Sequence, residues 1–478
     1  MNLLCFDISS GGVSAALLNS QLEPARTGES QWHLATDAEG AATLPADAVA
    51  DHLKKALAAL NLDAAAPIDA ICIGTFMHNC VLLDESDHPI TSVFTWLDRR
   101  GETGLDYLRS RLGDRLGDRF HKITGCHYHP MFPVFKLAAI RAGEPNLFKK
   151  AKRIVSVKSL LVHRLTGMWF EDYGMASAAG LFNVTKSDWD SEILDALGVD
   201  RSQLPAVAGM TEIVGNVTTE AASEFGLRAG VPVILGSGDG FLANIGSECE
   251  QPAKIAVSLG TSAVARQMLN RPVLDASLGT FCYLASEQSY LLGCAGSNGG
   301  NVLDWGRRIF GASKDVEASE QPPVFIPLLN GERSPDWNPN LTGSWHGLTA
   351  RHTPADLARS ILEGVIFNLA HFVEIVQRAS GERIEDVVVS GNGFLQPNAA
   401  PILAQIAGIP THRPQIPGLA SLRGAGICAL RALSQRVPPL DLEAVSPAQE
   451  PRILQRYADY RTLREVAGRQ PSSGAGRL

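Results

Sequence analysis

Short apolar runs alternate with stretches of helical period along the whole chain, which predicts an α/β architecture. Two passages share a design. Residues 3–17 read as an apolar strand, a turn of Ser9, Ser10, Gly11 and Gly12, and a second strand. Residues 255–265 repeat that plan around Gly260, Thr261 and Ser262 in the other half of the chain. Each predicts a hairpin whose tight turn is built of glycine and small hydroxyl-bearing residues. A hairpin repeated at this separation points to a duplicated domain, although two unrelated hairpins would leave the same trace.

The alternation breaks over residues 244–254. This places a boundary between a domain over 1–245 and a domain over 246–468, with a flexible Ser- and Gly-containing tail over 469–478. One helix is marked at its start by Thr353 as cap, Pro354 in the first helical position and Asp356 in the first turn. Leu357, Ile361, Leu362, Val365, Ile366 and Leu369 then recur on one face.

The length of 478 residues fits two large domains. A formal net charge of −8 argues against a nucleic-acid partner, because an acidic surface repels a phosphate backbone. The eight cysteines are scattered without a CxxC pair, and several sit inside apolar runs, so they read as reduced core residues. With no signal-peptide pattern at the start and no apolar run of membrane-spanning length, a cytoplasmic protein without a membrane partner is expected. The oligomeric state stays open, a homodimer included.

Five passages carry candidate chemistry. The apolar run 231–235 ends in Gly236, Ser237, Gly238 and Asp239, ahead of a helix-like stretch. A lone carboxylate between glycines can accept a hydroxyl proton during phosphoryl transfer, and equally can cap a helix. Asp7 ends the first strand beside Ser9, Ser10 and Gly11, a setting that suits a hydrated Mg²⁺–phosphate complex or an ordinary Asx turn. Gly260, Thr261 and Ser262 offer the same cradle in the second hairpin. A buried strand over 387–390 enters Gly391, Asn392 and Gly393, then a helix stopping at Gly408. Ligands sit at such carboxyl ends of strands in open α/β sheets. Neither GxGxxG nor GxxxxGK[ST] occurs there. Met77, His78 and Asn79, and Trp96, Asp98 and Arg100, suit a polyhydroxylated ligand with an apolar face, or else are core and surface residues.

The order and spacing of these passages resemble the FGGY family of carbohydrate kinases over nearly the whole chain. Residues 3–18 are similar to the family's first phosphate hairpin, and Ser258 to Ser262 to its second. Gly236, Ser237, Gly238 and Asp239 resemble its catalytic turn. Met77 with His78, and Trp96, Asp98 and Arg100, resemble its substrate motifs. Asn298, Gly299 and Gly300 with Trp305, and Gly391, Asn392 and Gly393 with Asn398, fall where the family handles the nucleotide. Within the family, gluconokinases are the nearest likeness, through Thr124, His129, Met131 and Lys136, Met175 to Ser177, and Gly331 to Pro335 with Trp337.

The resemblance implies two actin/hexokinase-like (ribonuclease H-like) domains with an ATP and sugar cleft between them. It implies ATP-dependent phosphorylation of a small sugar or sugar acid, gluconate foremost. Asp239 would be the base, Asp7 would hold Mg²⁺ through water, and His78, Trp96, Asp98 and Arg100 would contact the sugar. Ser9, Ser10, Gly11, Gly260, Thr261, Ser262, Gly300, Gly391, Asn392, Gly393 and Asn398 would hold the nucleotide and its phosphates. The alternatives are a xylulose-type ketose kinase and a catalytically weak sugar- or ATP-binding regulatory relative. The first hairpin departs from the family pattern: its Gly-Thr pair and following basic residue are absent, and Ser14 stands where that cation is expected. Asn392 replaces a usual glycine.

Overall fold

The computed structural model describes residues 1–62, 67–113, 116–310, 319 and 321–468, so the tail expected over 469–478 lies outside the described residues. The chain forms two units. One holds Met1–Gly246, Cys282–Tyr290 and Ala420–Pro439; the other holds Ser247–Phe281, Leu291–Leu419 and Leu440–Leu478. The first unit's leading segment ends at Gly246, and two later segments, Cys282–Tyr290 and Ala420–Pro439, belong to the same unit. Sequence continuity did not foretell that return, because unit membership depends on packing.

In the first unit a six-stranded sheet runs Ile213–Asn216, Pro232–Ile234, Ala70–Thr75, Leu3–Ser9, Gly12–Leu18, Pro24–Gln31. The second, third and fourth of these are parallel neighbours; the rest pair antiparallel. The first predicted hairpin is present, with Leu3 opposite Leu18 and Ser9 opposite Gly12. Leu4, Phe6 and Ile8 alternate into one fully buried cluster with Leu53, Ile71, Ile73 and Val233.

The second unit repeats the plan. Ala263–Leu269, Lys254–Leu259, Asp386–Ser390 and Thr411–Pro414 lie side by side, the last three parallel and the first two a hairpin. Both sheets thus place a hairpin next to two parallel strands in the same order, which two unrelated hairpins would not produce. A duplicated α/β plan accounts for it.

The helix marked by Thr353 runs Pro354–Ser380 and carries the expected cap. Asp356 N–H donates to Thr353 Oγ1 at 3.3 Å, and Thr353 N–H to Asp356 Oδ2 at 2.7 Å. It is long and apolar enough to cross a membrane, contrary to the reading of the bare sequence, but 78% of its most apolar window is buried. Its apolar residues face the protein core. All eight cysteines are buried free thiols.

Candidate active site

In the first unit, the chemistry gathers where the parallel strands Leu3–Ser9, Ala70–Thr75 and Pro232–Ile234 end. Thr75 N–H donates to Ser237 O at 3.4 Å, and Phe76 N–H to Ile8 O at 2.6 Å, so the turns that follow these strands lie together. Gly236 has a φ of +64°, and a Cβ there would sit 2.1 Å from Ile73 O. Only glycine fits so close to that strand.

Beyond Gly236 the turn is tied down from below. Ser237 Oγ donates to Asp172 Oδ1 at 2.5 Å, and that oxygen also accepts from Gly174 and Met175 N–H. Lys158 Nζ pairs with Asp172 Oδ2 at 3.0 Å and donates to Ile73 O at 3.2 Å. Both charged side chains are fully or almost fully buried. Asp239 opens the helix Asp239–Gly246, and its Oδ1 accepts from Gly240 N–H at 2.8 Å.

Asp7 lies near enough to Asp239 for the two charges to repel. Burial first, and that repulsion second, push the Asp7 carboxyl up to about 7, while a hydrogen bond from Ser421 works against the shift. Asp7 Oδ1 is buried without a hydrogen-bond partner. Ser421 arrives on the helix Ala420–Ala432, which packs backbone to backbone on Asp239–Gly246. A Cβ on Gly246 would lie 1.9 Å from Ala420 O, and one on Gly424 2.0 Å from Leu242 O.

The hairpin register puts Ser14 opposite Asp7, with Glu29 on its other side. The position of the family's cation therefore holds a hydroxyl flanked by two carboxylates. Lys136 does not replace it, since its buried ammonium donates to Thr95 O and Met131 O, both at 2.6 Å. Burial lowers this ammonium to about 8. Arg266, in the second unit, donates to Ser258 Oγ at 2.8 Å.

His78 takes a left-handed backbone, φ +59°, and its Nδ1 lies 2.9 Å from Ala178 O. Its ring stands edge-on to Phe132 and Tyr283, with centroids 5.1 and 5.8 Å away. Trp96 is partly buried against the core of the unit. Asp98 is buried and spends both oxygens internally. Oδ1 takes Arg100 N–H at 3.0 Å; Oδ2 takes Ala42 N–H at 3.1 Å and Arg100 Nη2 at 2.7 Å. Asp98 thus orients Arg100, whose side chain is 40% exposed and covers the Phe94 ring at 5.0 Å.

In the second unit the phosphate-type turns also converge. Gly300 N–H donates to Gly260 O at 2.8 Å and Asn301 N–H to Thr261 O at 3.2 Å, joining the helix Gly300–Phe310 to the hairpin turn. Ser258 and Ser390, at the ends of neighbouring parallel strands, hydrogen-bond at 2.8 Å. Gly391 has φ +89°, and a Cβ there would meet Leu259 O at 2.6 Å. Asn392 opens a short 3-10 turn, and both it and Asn398 are exposed. Asn398, with φ +68°, precedes the helix Ala399–Ala407, which ends at Gly408 as expected.

A buried network fixes the loop before Gly300. Glu332 Oε1 accepts from Ser297 N–H at 2.5 Å, and Glu332 Oε2 from Asn368 Nδ2 at 3.0 Å. Asn298 donates to Gly331 O at 2.7 Å. The stretches around 298 and 331, both quoted for the family resemblance, therefore meet. The sequence did not expose Lys158, Asp172 or Ser421 as members of the site. A lone lysine inside the apolar run 154–162 was a signal for the first; Ser421 gave none.

Residues 2–246 match the N-terminal domain, and residues 255–433 the C-terminal domain, of the FGGY family of carbohydrate kinases. The chain is 33% identical over 323 residues to a gluconokinase of Bacillus subtilis, covering 63% of this chain and 62% of that protein. It thus aligns to less than two thirds of that relative's length. It is 30% identical over 418 residues to a xylulose kinase of Escherichia coli, covering 84% of each. A crystal structure of a gluconate kinase from Lactobacillus acidophilus superposes with a TM-score of 0.89 at 25% identity, covering 98% of both chains.

Proposed function

Because the chain belongs to the FGGY family of carbohydrate kinases, we propose that it transfers the γ-phosphoryl group of ATP to a terminal hydroxyl of a small sugar acid, gluconate or a close relative. The observation that carries this reading is the placement of Asp239. It stands at the mouth of a glycine-flanked turn, beside a second carboxylate and at the ends of three parallel strands.

In this reading Asp239 accepts the proton of the attacking hydroxyl as its oxygen bonds to phosphorus, and the bond to the ADP oxygen breaks. Domain 1–245, with His78, Trp96 and Arg100, takes the sugar, and Asp98 holds Arg100 in place. Domain 246–468 takes the nucleotide, with Gly260 to Ser262 and Gly300 at the phosphates and Gly391 to Gly393 with Asn398 at the nucleoside. Ser9, Ser10 and Gly11 are further candidate phosphate contacts. ATP is the donor.

Mg²⁺ fits the residues present. Asp7 Oδ1, buried and without a partner, can accept from a water of the hydrated ion. Among the described residues no group of three or more His, Cys, Asp or Glu could hold a metal. Bound Mg²⁺ would neutralise charge on the phosphates. It would also favour the ionised form of Asp7.

A ketose acceptor is the second reading, supported by the Escherichia coli relative and by the commitment of the cations. Arg100 already pairs with Asp98, and Lys136 with two carbonyls, which reduces what they offer a sugar carboxylate. The test is Mg-ATP turnover against gluconate, other aldonates, xylulose, ribulose, fuculose and glycerol. The sugar-acid reading expects the highest kcat/KM on an aldonate. A preference for xylulose overturns it, and no turnover on any acceptor overturns the kinase reading itself.

A further inference from the structure

Beside the ion pair that anchors the Asp239 turn lies a third buried ionisable group. Glu171 precedes Asp172 on the strand Phe170–Asp172 and is only 3% exposed. The Lys158 ammonium therefore acts on two adjacent carboxyl groups inside the first unit. Asp172 takes that ammonium at 3.0 Å and also accepts from Ser237 Oγ and from two backbone N–H groups. Glu171 is far less well supplied. Its Oε1 is buried without a hydrogen-bond partner.

The contact of the other oxygen locates a proton. Ser159 Oγ lies 2.6 Å from Phe170 O and 3.3 Å from Glu171 Oε2. A hydroxyl has one proton and a carbonyl oxygen can only accept, so the shorter contact takes the Ser159 proton. Glu171 Oε2 can then bond to Ser159 Oγ only as a donor, which requires the acid form of Glu171. An unpaired carbonyl oxygen at Oε1 also costs less to bury than an unpaired carboxylate oxygen.

The surroundings favour the same form. Glu171 lines a narrow cavity of about 30 Å³ with Asn79, Cys80, Ser156 and Met175. That space holds about one or two waters, too few to solvate an anion. Burial first, and the Asp172 charge second, push the Glu171 carboxyl above the ordinary carboxylate range, while the Ser156 hydroxyl and the Lys158 charge pull the other way. The other titratable group on the cavity wall is the Cys80 thiol, which burial pushes up to about 12 and so keeps neutral. On the helix Val157–Thr166, which packs on this strand, Arg164 is held by Glu224 and His163 stacks on Trp169. The paired strand Ala206–Ala208 carries no titratable side chain, and burial keeps the Tyr173 phenol un-ionised on the following helix.

We infer that Glu171 is a positioning residue that stays protonated: by remaining neutral it leaves the Lys158 ammonium to Asp172 and Ile73, and so fixes the turn that presents Asp239. An ionised Glu171 would compete for that ammonium and loosen both contacts. The protonation state is independent of what the protein phosphorylates; its effect on turnover rests on the reading of Asp239 as the base.

The first test is the infrared carbonyl band of an un-ionised carboxylic acid, recorded on the full-length protein at pH 6 as the difference between parent and Glu171→Gln. The subtraction cancels Asp7 and every other carboxyl common to both. The band should be present in the parent and lost in the variant; a lost carboxylate band instead overturns the inference. Should Glu171→Gln fail to fold, Glu171→Met serves the same subtraction. The second test is melting temperature. The folded parent keeps a proton that an unfolded chain loses above about pH 4.3, so its stability falls as pH rises through the folded value. The melting temperature of Glu171→Gln should therefore gain on the parent's between pH 6 and pH 9, and an unchanged gap overturns the protonation. The third test is the pH profile of kcat. Once the acid form titrates away, kcat of the parent should fall about tenfold per pH unit, on an alkaline limb that Glu171→Gln lacks. Identical profiles overturn the positioning role. If no acceptor is turned over, the kinase reading fails by itself, and the infrared and melting tests still decide whether Glu171 holds its proton.

Discussion

Ser237 Oγ stands 2.5 Å from Asp172 Oδ1, and Asp172 in turn pairs with Lys158 at 3.0 Å in a fully buried setting. The turn that presents Asp239 is thus anchored through its own second residue to an ion pair beneath the sheet. Lys158 also holds Ile73 O, the atom against which Gly236 packs. One lysine therefore supports both the turn and the strand beside it.

Removing that cation leaves a buried carboxylate without its counter-charge. Lys158→Met is expected to cost about 3–5 kcal/mol. Ser237→Ala, which removes only one hydrogen bond to a charged group, should cost roughly 1.5–3 kcal/mol. Denaturant melts of the two variants check both values. A loss below about 1 kcal/mol for Lys158→Met would show that the pair does not anchor the turn.

Asp239→Asn keeps the size of the side chain and removes its basicity. We expect kcat to fall by about 10²- to 10⁴-fold, with thermal stability and nucleotide binding near those of the parent. Near-normal turnover would remove Asp239 from the role of base.

Asp7 titrates near 7 in the folded chain and near 4 in an unfolded one. Between those values the folded chain keeps a proton that the unfolded chain has lost. Stability of the ligand-free protein therefore falls as pH rises through this window and levels off above about 7. Asp7→Asn abolishes this part of the loss, so its melting temperature should exceed the parent's by more at pH 8 than at pH 5. An equal difference at both pH values would refute the shift. In the same variant, Mg-dependent nucleotide binding should weaken.

Gly236→Ala would force a side chain into a left-handed backbone and into contact with Ile73 O. The two effects together are expected to cost about 3 kcal/mol and to lower kcat by moving Asp239. Gly230→Ala serves as the control. That glycine also has a positive φ, +86°, but a Cβ there meets nothing within 4 Å. It should lose only about 1–2 kcal/mol and leave kcat unchanged. Equal losses in the two variants would mean that the close approach to Ile73 does not matter.

Much of the fold was legible in the residues. Alternating apolar runs marked both hairpins, and the Thr353–Asp356 cap marked the long helix. Gly408 marked the end of the helix Ala399–Ala407. These features are local: a turn, a cap or a strand period depends on residues a few positions apart. The return of Ala420–Pro439 to the first unit was not legible, because nothing local distinguishes a helix that packs on one unit from a helix that packs on the other.

The site divides in the same way. The sequence by itself determined which residues could carry the chemistry: Asp239 between glycines, Asp7 at a strand end, and the small-residue turns at 9–12, 260–262 and 391–393. The tertiary structure alone decided their electrostatic state. It set Asp7 beside Asp239 and Ser421, turned Asp98 onto Arg100, sealed Lys136 on two carbonyls and put Lys158 beneath the turn. Residue type fixes what a group can donate or accept, whereas its charge and availability depend on burial and on neighbours more than a hundred positions away in the chain.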